Sequence, residues 1–525
     1  MVAIIFFGCQ VEKTKPLPYS TIWQTPDATW QPAKVNIVPD TVFETGWRFT
    51  KGLAGEELVP AILPQPDSLT KLPHRVLLPN TALWYLQKIT VPQDGVLSVR
   101  SDDGAQVWIN GKPAERVHGD VFNVTAAEHA IVLIRVLNNA MSGGLKQVSY
   151  YSNAKYKSLL QQNENQLALK RKHERTTLKM DASTPFLIGP WLTRADSIYT
   201  VRILADAQPV TMHWGIGANE LNYSEQKSGE LLTFHVPALQ QNWFYKICSD
   251  SYCTPVYSVK VEEPVFTFTI WGDSQSGWYN FQKLIHHMQL GADAFTIGAG
   301  DLVGNGSDAE QWRTFSGILS GYAANKPAYL VAGNHDYDGY YTTLYPHLYH
   351  QYASPAGKPY FAWTYANCAF IALDANTQFP IEFDEKQQAW FYQQLQSDQW
   401  KQATWRFIVL HQPPYSQGWP GYEGDAIVRN LLEPVMKSAQ IDFVIAGHTH
   451  DYERLTKTYG KQQTHFIITG GGGGSLEPDE SSAQPLMDTL IKTHHYIRFR
   501  ISNNNLNWFV YDLNNNLLDK QHVAK

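Results

Sequence analysis

Alternation of apolar and polar positions dominates the first part of the chain. Across residues 20–152, short runs with a two-residue period are punctuated by turn residues. The run 83–92 stops at Pro92, and Asn110-Gly111 follows the run 106–109 as the strongest short-range hairpin signal. Regular short strands of this kind predict a β-sandwich. The period breaks at residues 153–180, where Gln, Asn, Lys and Glu surround a thin stripe of Leu159, Leu160, Leu167 and Leu169 without Gly or Pro. This predicts a solvated helical linker. Alternation returns over residues 183–262, most clearly in the runs 197–204 and 210–215, and predicts a second, smaller β-sandwich. From 263 to 525, apolar strand-like runs alternate with helical stretches, the pattern of a layered α/β domain. The expected architecture is multidomain: two N-terminal β-sandwiches followed by an α/β domain.

Composition narrows the functional classes. Hydrophobic residues at 43% and charged residues at 17% exclude a disordered chain. Lys and Arg number 42 against 48 Asp and Glu, for a net charge of −6, so no global basic field draws nucleic acid or an anionic membrane. No run of 18 apolar residues offers a membrane-spanning helix. The 17 Trp and 28 Tyr fit either β-rich cores or carbohydrate-stacking surfaces. The apolar start, Met1 to Phe7 followed by Gly8-Cys9, resembles the end of a bacterial lipoprotein signal. Residues 1–9 are accordingly set apart as a signal or lipid-attachment remnant. The expected location is exported, as a periplasmic or outer-membrane lipoprotein that touches membrane only through Cys9. Cys248 and Cys253 sit on the two arms of a candidate hairpin, where a disulfide is feasible. A metal knuckle there would need two further ligands that are not nearby. Cys368 lies in an apolar run and reads as a buried free thiol.

The candidate chemistry sits where strands of the third region end. The runs 265–271, 294–299, 328–332, 405–410 and 443–446 lead into Gly272-Asp273, Gly300-Asp301, Gly333-Asn334-His335-Asp336, His411 and Gly447-His448-Thr449-His450. The run 466–469 leads into five glycines, 470–474. Polar groups at the carboxyl ends of α/β strands are where such folds build their sites. Asp273, Asp301, Asn334, His411, His448 and His450 form a set of oxygen and nitrogen donors without thiolate, suited to two divalent ions such as Mn, Fe or Zn. A carboxylate bridging two such ions holds them about 3.5–4 Å apart. His286-His287 and His494-His495 read as ordinary structural residues.

In that order, these blocks resemble the calcineurin-like metallophosphoesterases. The preceding small sandwich, fibronectin-III-like, and the run Gly447-His448-Thr449-His450-Asp451-Tyr452-Glu453-Arg454 resemble the purple acid phosphatase branch. The resemblance spans about residues 185–515 and implies an αββα-type catalytic sandwich over 263–525. It implies that Asp301 bridges two metals, that Asn334, His411 and His448 complete one site, and that Asp273 and His450 serve the other. His335 would be the general acid, oriented by Asp336, with Asn334, His335 and Tyr337 touching substrate. The implied reaction is attack of a metal-activated hydroxide on a small phosphorylated substrate, with monoesters favoured.

Two positions depart from the pattern: Gly304 stands where purple phosphatases carry a tyrosinate ligand, and Gln275 where other members carry His. Gln275 is left as an amide-oxygen ligand, and the centre is expected to be colourless. The tract 337–352, with Tyr337, Tyr340, Tyr341, His347 and His350, reads as a pocket rim or as ordinary aromatic packing. Gly470–Gly474 is expected to approach phosphate through its backbone. In the first region, residues 102–112 followed by 122–125 resemble galactose-binding-like jelly-roll modules, which makes carbohydrate a candidate partner. The alternatives are a phosphodiesterase with the same core, and a surface carbohydrate-binding protein whose phosphatase domain has degenerated. A nuclease is disfavoured by the acidic balance.

Overall fold

The computed structural model describes residues 36–525 apart from 53–59, 102, 140–141, 178–187, 196–197, 206–208, 240, 250–252, 338–346, 356 and 378–380. Cys9, Tyr340 and Tyr341 therefore lie outside the described residues.

Alternation in the first region produces two antiparallel sheets, one of five strands and one of six. Their inward residues, among them Trp47, Tyr85, Leu97, Phe122, Ile134 and Tyr150, share one core. Three adjacent strands of the larger sheet are Thr81–Val91, Ala127–Asn138 and Ala105–Ile109. Thr81 pairs with Asn138 and Ala105 with Val136. The residues flanking them (Asn80, Asp103 and Asn139) therefore meet at one end of that sheet. The next stretch, polar in sequence, is a helix, Asn153–Thr177, tied to the first region by Lys155 on Asp40 at 2.8 Å.

In the second β region a sheet of Tyr223–Lys227, Val210–Gly215, Trp243–Cys248 and Tyr257–Val259 faces the strands Ile188–Ala195, Ile198–Leu204 and Leu231–Pro237. They close over Val201, Met212, Phe234, Trp243 and Tyr245. Cys248 and Cys253 form a disulfide here. This region is not separate from the α/β part: Ile188–Ala195 pairs in parallel with Ala328–Val331, so one nine-stranded sheet runs through both. The expected boundary at 262 crosses a continuous hydrogen-bonded sheet.

The remainder stacks that sheet against a seven-stranded one, with helices on both outer faces. Short, fully buried runs such as Phe295–Ala299, Cys368–Ala372, Trp405–Val409 and Phe443–Ala446 have no polar alternation because both faces are covered. Between the sheets lies an aromatic core centred on Phe268, which stacks on Phe295 at 4.8 Å and Phe499 at 4.9 Å and meets Phe370 and Phe407 edge-on. One outer face is covered by the helix Trp278–Gln289, whose Phe281, Leu284, Ile285 and Met288 recur at helical spacing. Beside it packs Ala309–Ala323, which starts at Asp308, whose side chain accepts from the amides of Glu310 and Gln311. Phe391, Leu395 and Trp400 on the helices Glu385–Leu395 and Asp398–Gln402 cover the other face. The parallel strands of both sheets deliver their carboxyl ends to one edge of the sandwich, which fixes where the site is built.

Phe268 is the hub of this packing. Phe268→Ala removes a fully buried ring from the centre of the aromatic layer and is expected to destabilise the catalytic region by about 3–5 kcal/mol. Calorimetry should show the corresponding fall in its melting transition, with the transition of the first β region little changed.

Candidate metal centre

Each candidate donor sits in the first residues after a strand. Asp273 follows Val265–Trp271, Asp301 follows Phe295–Ala299, and Asn334 follows Ala328–Val331. His411 follows Trp405–Val409, and His448 and His450 follow Phe443–Ala446. Asp273, Asp301 and His448 hold left-handed backbone angles, φ 61°, 49° and 75°. Such conformations cost free energy in non-glycine residues and persist where the surroundings over-determine them. Gly333 is required by close approach, because a Cβ there would sit 2.1 Å from Asp301 Oδ1.

The donors converge. Ligand atoms of Asp301, His411 and His448 lie within 4.8 Å of one another, all buried. His411 Nε2 is 3.2 Å from Asp301 and 4.0 Å from Asp273, and His450 Nε2 is 3.5 Å from Asp273. Second partners set the tautomers. His411 Nδ1 donates to the Ala299 carbonyl at 2.8 Å, and His450 Nδ1 to that of Ser475, which turns both Nε2 atoms inward. Asn334 Oδ1 is buried and has no hydrogen-bond partner among the described residues, and His448 turns Nδ1 toward the cluster, 3.3 Å from His411 Nε2. A buried amide oxygen without a partner and two imidazole nitrogens turned toward each other beside carboxylates are what a divalent cation requires, so the residues fit the expected metals.

Electrostatics point the same way. Burial opposes the charge on Asp301, yet His411 and His335 hold its carboxyl well below the usual range. Burial raises the Asp273 carboxyl against the pull of His411 and His450. Burial also disfavours the His411 and His450 cations, but the carboxylates outweigh it and lift them to about 9 and about 10. His448, buried and beside His411, is pushed well below its ordinary value and is neutral.

Several expected roles change. Gln275 lies in the site, but its amide nitrogen donates to Asp301, so in this arrangement it braces the carboxylate and does not present oxygen to a cation. Asp336 does not orient the His335 ring. Its carboxylate accepts from the amides of Leu302, Val303 and Gly333 and welds two site loops together, and burial together with the nearby Asp301 pushes it up to about 7. Tyr337 is buried with its hydroxyl on Asp374. His347 and His350 belong to the helix His347–Tyr352, whose end packs on the second β region through Trp191 and Arg202. Three of the five glycine amides are unavailable to phosphate. The amides of Gly470, Gly472 and Gly474 are spent on the carbonyls of Asp451, Gly272 and Asp273, and a Cβ on Gly472 would meet Gly272 O at 2.2 Å.

Other contributors carry no motif. Glu477 accepts from the His450 amide at 2.9 Å, and Trp419 and Tyr422 pack their rings on His448 at 4.9 and 5.8 Å. His335, a quarter exposed, directs Nδ1 to the Gly304 carbonyl at 3.1 Å, and its Nε2 lies 3.4 Å from Asp103 of the first β region. A side chain at position 304 would begin 2.6 Å from Ser276 Oγ, so this turn is built around glycine.

Residues 266–452 match the sequence model of the calcineurin-like phosphoesterase family. This segment is a calcineurin-like phosphoesterase domain. Purple acid phosphatases 22 and 21 of Arabidopsis thaliana are similar to the chain at 26% identity over 271 residues and 28% over 243. These alignments take in 49 and 43% of this chain and 61 and 53% of those proteins, so the chain spans less than two thirds of the relatives it matches. In fold, a purple acid phosphatase from yellow lupin seeds superposes with a TM-score of 0.53 at 16% identity, covering 85% of this chain and 92% of that one.

The phosphoesterase domain's charge pattern predicts proton-coupled metal uptake. At pH 7 a cation must displace protons from His411 and His450, whose ordinary titration is shifted upward. Affinity should therefore rise with pH up to about 9–10, and binding should release protons. Calorimetric titration of chelator-stripped protein with Zn2+ in buffers of different ionisation enthalpy measures that release directly; zero release would contradict the charge assignment.

Proposed function

We propose that this protein hydrolyses phosphate esters, monoesters in preference to diesters, using two divalent ions held by its phosphoesterase domain. The observation that carries this reading is the convergence of buried ligand atoms of Asp301, His411 and His448 within 4.8 Å of one another, with Asp273 4.0 Å from His411 Nε2. On this reading Asp301 would be shared by both ions, Asn334, His411 and His448 would hold one, and Asp273 and His450 would hold the other. Bound there, the ions supply charge neutralisation for the phosphoryl oxygens and activation of water at neutral pH.

The chain's own residues supply the rest. Asp336 and Gln275 hold Asp301 and its loop in place. The Gly304 carbonyl anchors His335 Nδ1, which leaves Nε2 as the ring atom able to reach an ester oxygen. As the P–O bond breaks, its electron pair leaves on that oxygen, which takes the Nε2 proton. The proton surrendered by the attacking water restores the ring over the cycle. Trp419 and Tyr422 shield His448 and exclude bulk water from one side.

The sequence signals at the N-terminus extend the proposal. A lipidated Cys9 would place the protein outside the cytoplasm, which the Cys248–Cys253 disulfide favours. The first β region is read as galactose-binding-like, with carbohydrate as a candidate partner, and the second as fibronectin-III-like.

Manganese-loaded protein is expected to turn over 4-nitrophenyl phosphate faster than bis(4-nitrophenyl) phosphate, with activity abolished by chelator, and His335→Ala is expected to lower turnover of phenyl phosphate roughly 100-fold and of 4-nitrophenyl phosphate much less. A reversed substrate ratio selects the diesterase. No chelator-sensitive turnover of either ester by metal-loaded protein sinks the enzyme reading. Because position 304 offers no phenolate, protein loaded with ferric iron is expected to lack an intense visible charge-transfer band, which an absorption spectrum checks.

A further inference from the structure

The first β region reaches the phosphoesterase domain with the loop end of one sheet, where the starts of Thr81–Val91 and Ala105–Ile109 lie beside the end of Ala127–Asn138. Two contacts form there, on opposite sides of the site. Asn80 Nδ2 donates to Asp425 Oδ1 at 2.7 Å, and Tyr422, one of the rings on His448, donates to the other oxygen of that same buried carboxylate. Asp103 lies 3.4 Å from His335 Nε2.

The Asp103 contact has the features of a built arrangement. Its side chain is only 3% exposed. Oδ2 is fixed by the Asn139 amide at 2.6 Å, which leaves Oδ1 to face the imidazole. The His335 ring is thus anchored by a hydrogen bond from Nδ1 to the Gly304 carbonyl, and its Nε2 lies within ion-pair range of Asp103 Oδ1. A ring pinned at one nitrogen can still swing about that bond; a carboxylate in ion-pair range of the opposite nitrogen, without taking its proton in a hydrogen bond, biases where the protonated Nε2 points and leaves it able to reach an ester oxygen.

We propose that the first β region completes the active site, with Asp103 as a positioning residue that holds His335 over the leaving-group side of the phosphate. This rests on the phosphoesterase reading of the metal centre. The leaving group of the substrate then runs along the loop end carrying Asp103 and Asn139, and the catalytic domain alone lacks one of its parts.

Asp103→Asn isolates this role. The amide oxygen can still accept from the Asn139 amide, while the carboxylate facing His335 becomes a donor. Wild-type, D103N, D103E and N80A proteins would be compared in full-length, manganese-loaded form on 4-nitrophenyl phosphate and phenyl phosphate. A departing nitrophenolate needs little help from an acid, whereas phenolate needs more, so a displaced His335 affects the two esters unequally. D103N is expected to lower kcat on phenyl phosphate about tenfold while changing 4-nitrophenyl phosphate turnover and KM little, with D103E recovering part of the loss. Histidine side-chain 15N spectra of zinc-loaded protein should show the His335 signals shifted in D103N.

Equal losses on both esters, matched by N80A, would make Asp103 a domain-docking residue and overturn the proposal. So would unchanged kinetics with unmoved His335 signals, or faster turnover in D103N, which would mark the carboxylate as an obstruction. Inactive wild-type protein overturns the phosphoesterase reading and the positioning role with it, an outcome distinguishable from active wild type with an indifferent D103N.

Discussion

Two carboxylates buried side by side are the constraint on which the rest of this molecule depends. Asp273 and Asp301 are 0 and 1% exposed, and an uncompensated pair of anions at that depth would cost more than any single interaction in the fold returns. The surrounding architecture is organised to offset that cost. His411 and His450 carry their raised basicity because of it, backbone amides of His335 and His448 point at the two carboxylates, and Gln275 adds a side-chain donor to Asp301. Three residues of the centre accept left-handed backbone geometry to reach these positions. The same field that holds the imidazoles protonated is the field a pair of cations would occupy, so the protonated and metal-loaded forms of the site answer to one electrostatic requirement.

Holding that geometry requires a rigid frame, and the frame is the aromatic layer between the sheets. The donors come from five separate strand ends in two sheets, so a small slip of one sheet over the other would spread them apart. Interdigitated rings around Phe268, Phe370, Phe407, Phe443 and Phe499 resist such sliding because close-packed interiors have few alternative arrangements. Asp336 carries out the same task locally: its buried carboxylate is given up to three backbone amides so that the 301–304 and 333–336 loops move as one body.

This division between local donors and a tertiary frame decides what was legible in the sequence. The strand ends could be read because each pairs a short apolar run with Gly and a donor, and local order along the chain was enough to suggest the phosphoesterase family. Periodicity could not show that Ile188–Ala195 joins the catalytic sheet, since edge pairing leaves no trace in a strand's own alternation. Asp336, Gln275 and Tyr337 were located by motif position, but the partners they take (backbone amides of two loops, Asp301 and Asp374) could not be read, because the partner of a buried polar group is chosen by tertiary packing. Trp419, Tyr422, Glu477 and Asp103 were invisible for the same reason: each acts across more than twenty residues of chain, and Asp103 across more than two hundred. The glycine run was a correct sign of close approach, but the backbone it admits belongs to residues 272–273 and not to a ligand.

The donor set also carries an argument about the charge of the metals it suits. Its anions are Asp273 and Asp301; His411, His448 and His450 bind as neutral imidazoles, and Asn334 offers an amide oxygen. A tyrosinate would add a third negative charge and would favour a trivalent ion, but position 304 is a glycine and offers none. Gln275 brings no charge in either orientation of its amide. Two carboxylates balance two divalent ions less completely than three anions would, so the residual positive charge is left for the substrate to neutralise. A phosphate monoester dianion satisfies that deficit better than a diester monoanion. On the proposed phosphoesterase reading, the missing tyrosinate would weaken the hold on a trivalent ion and favour the more highly charged ester.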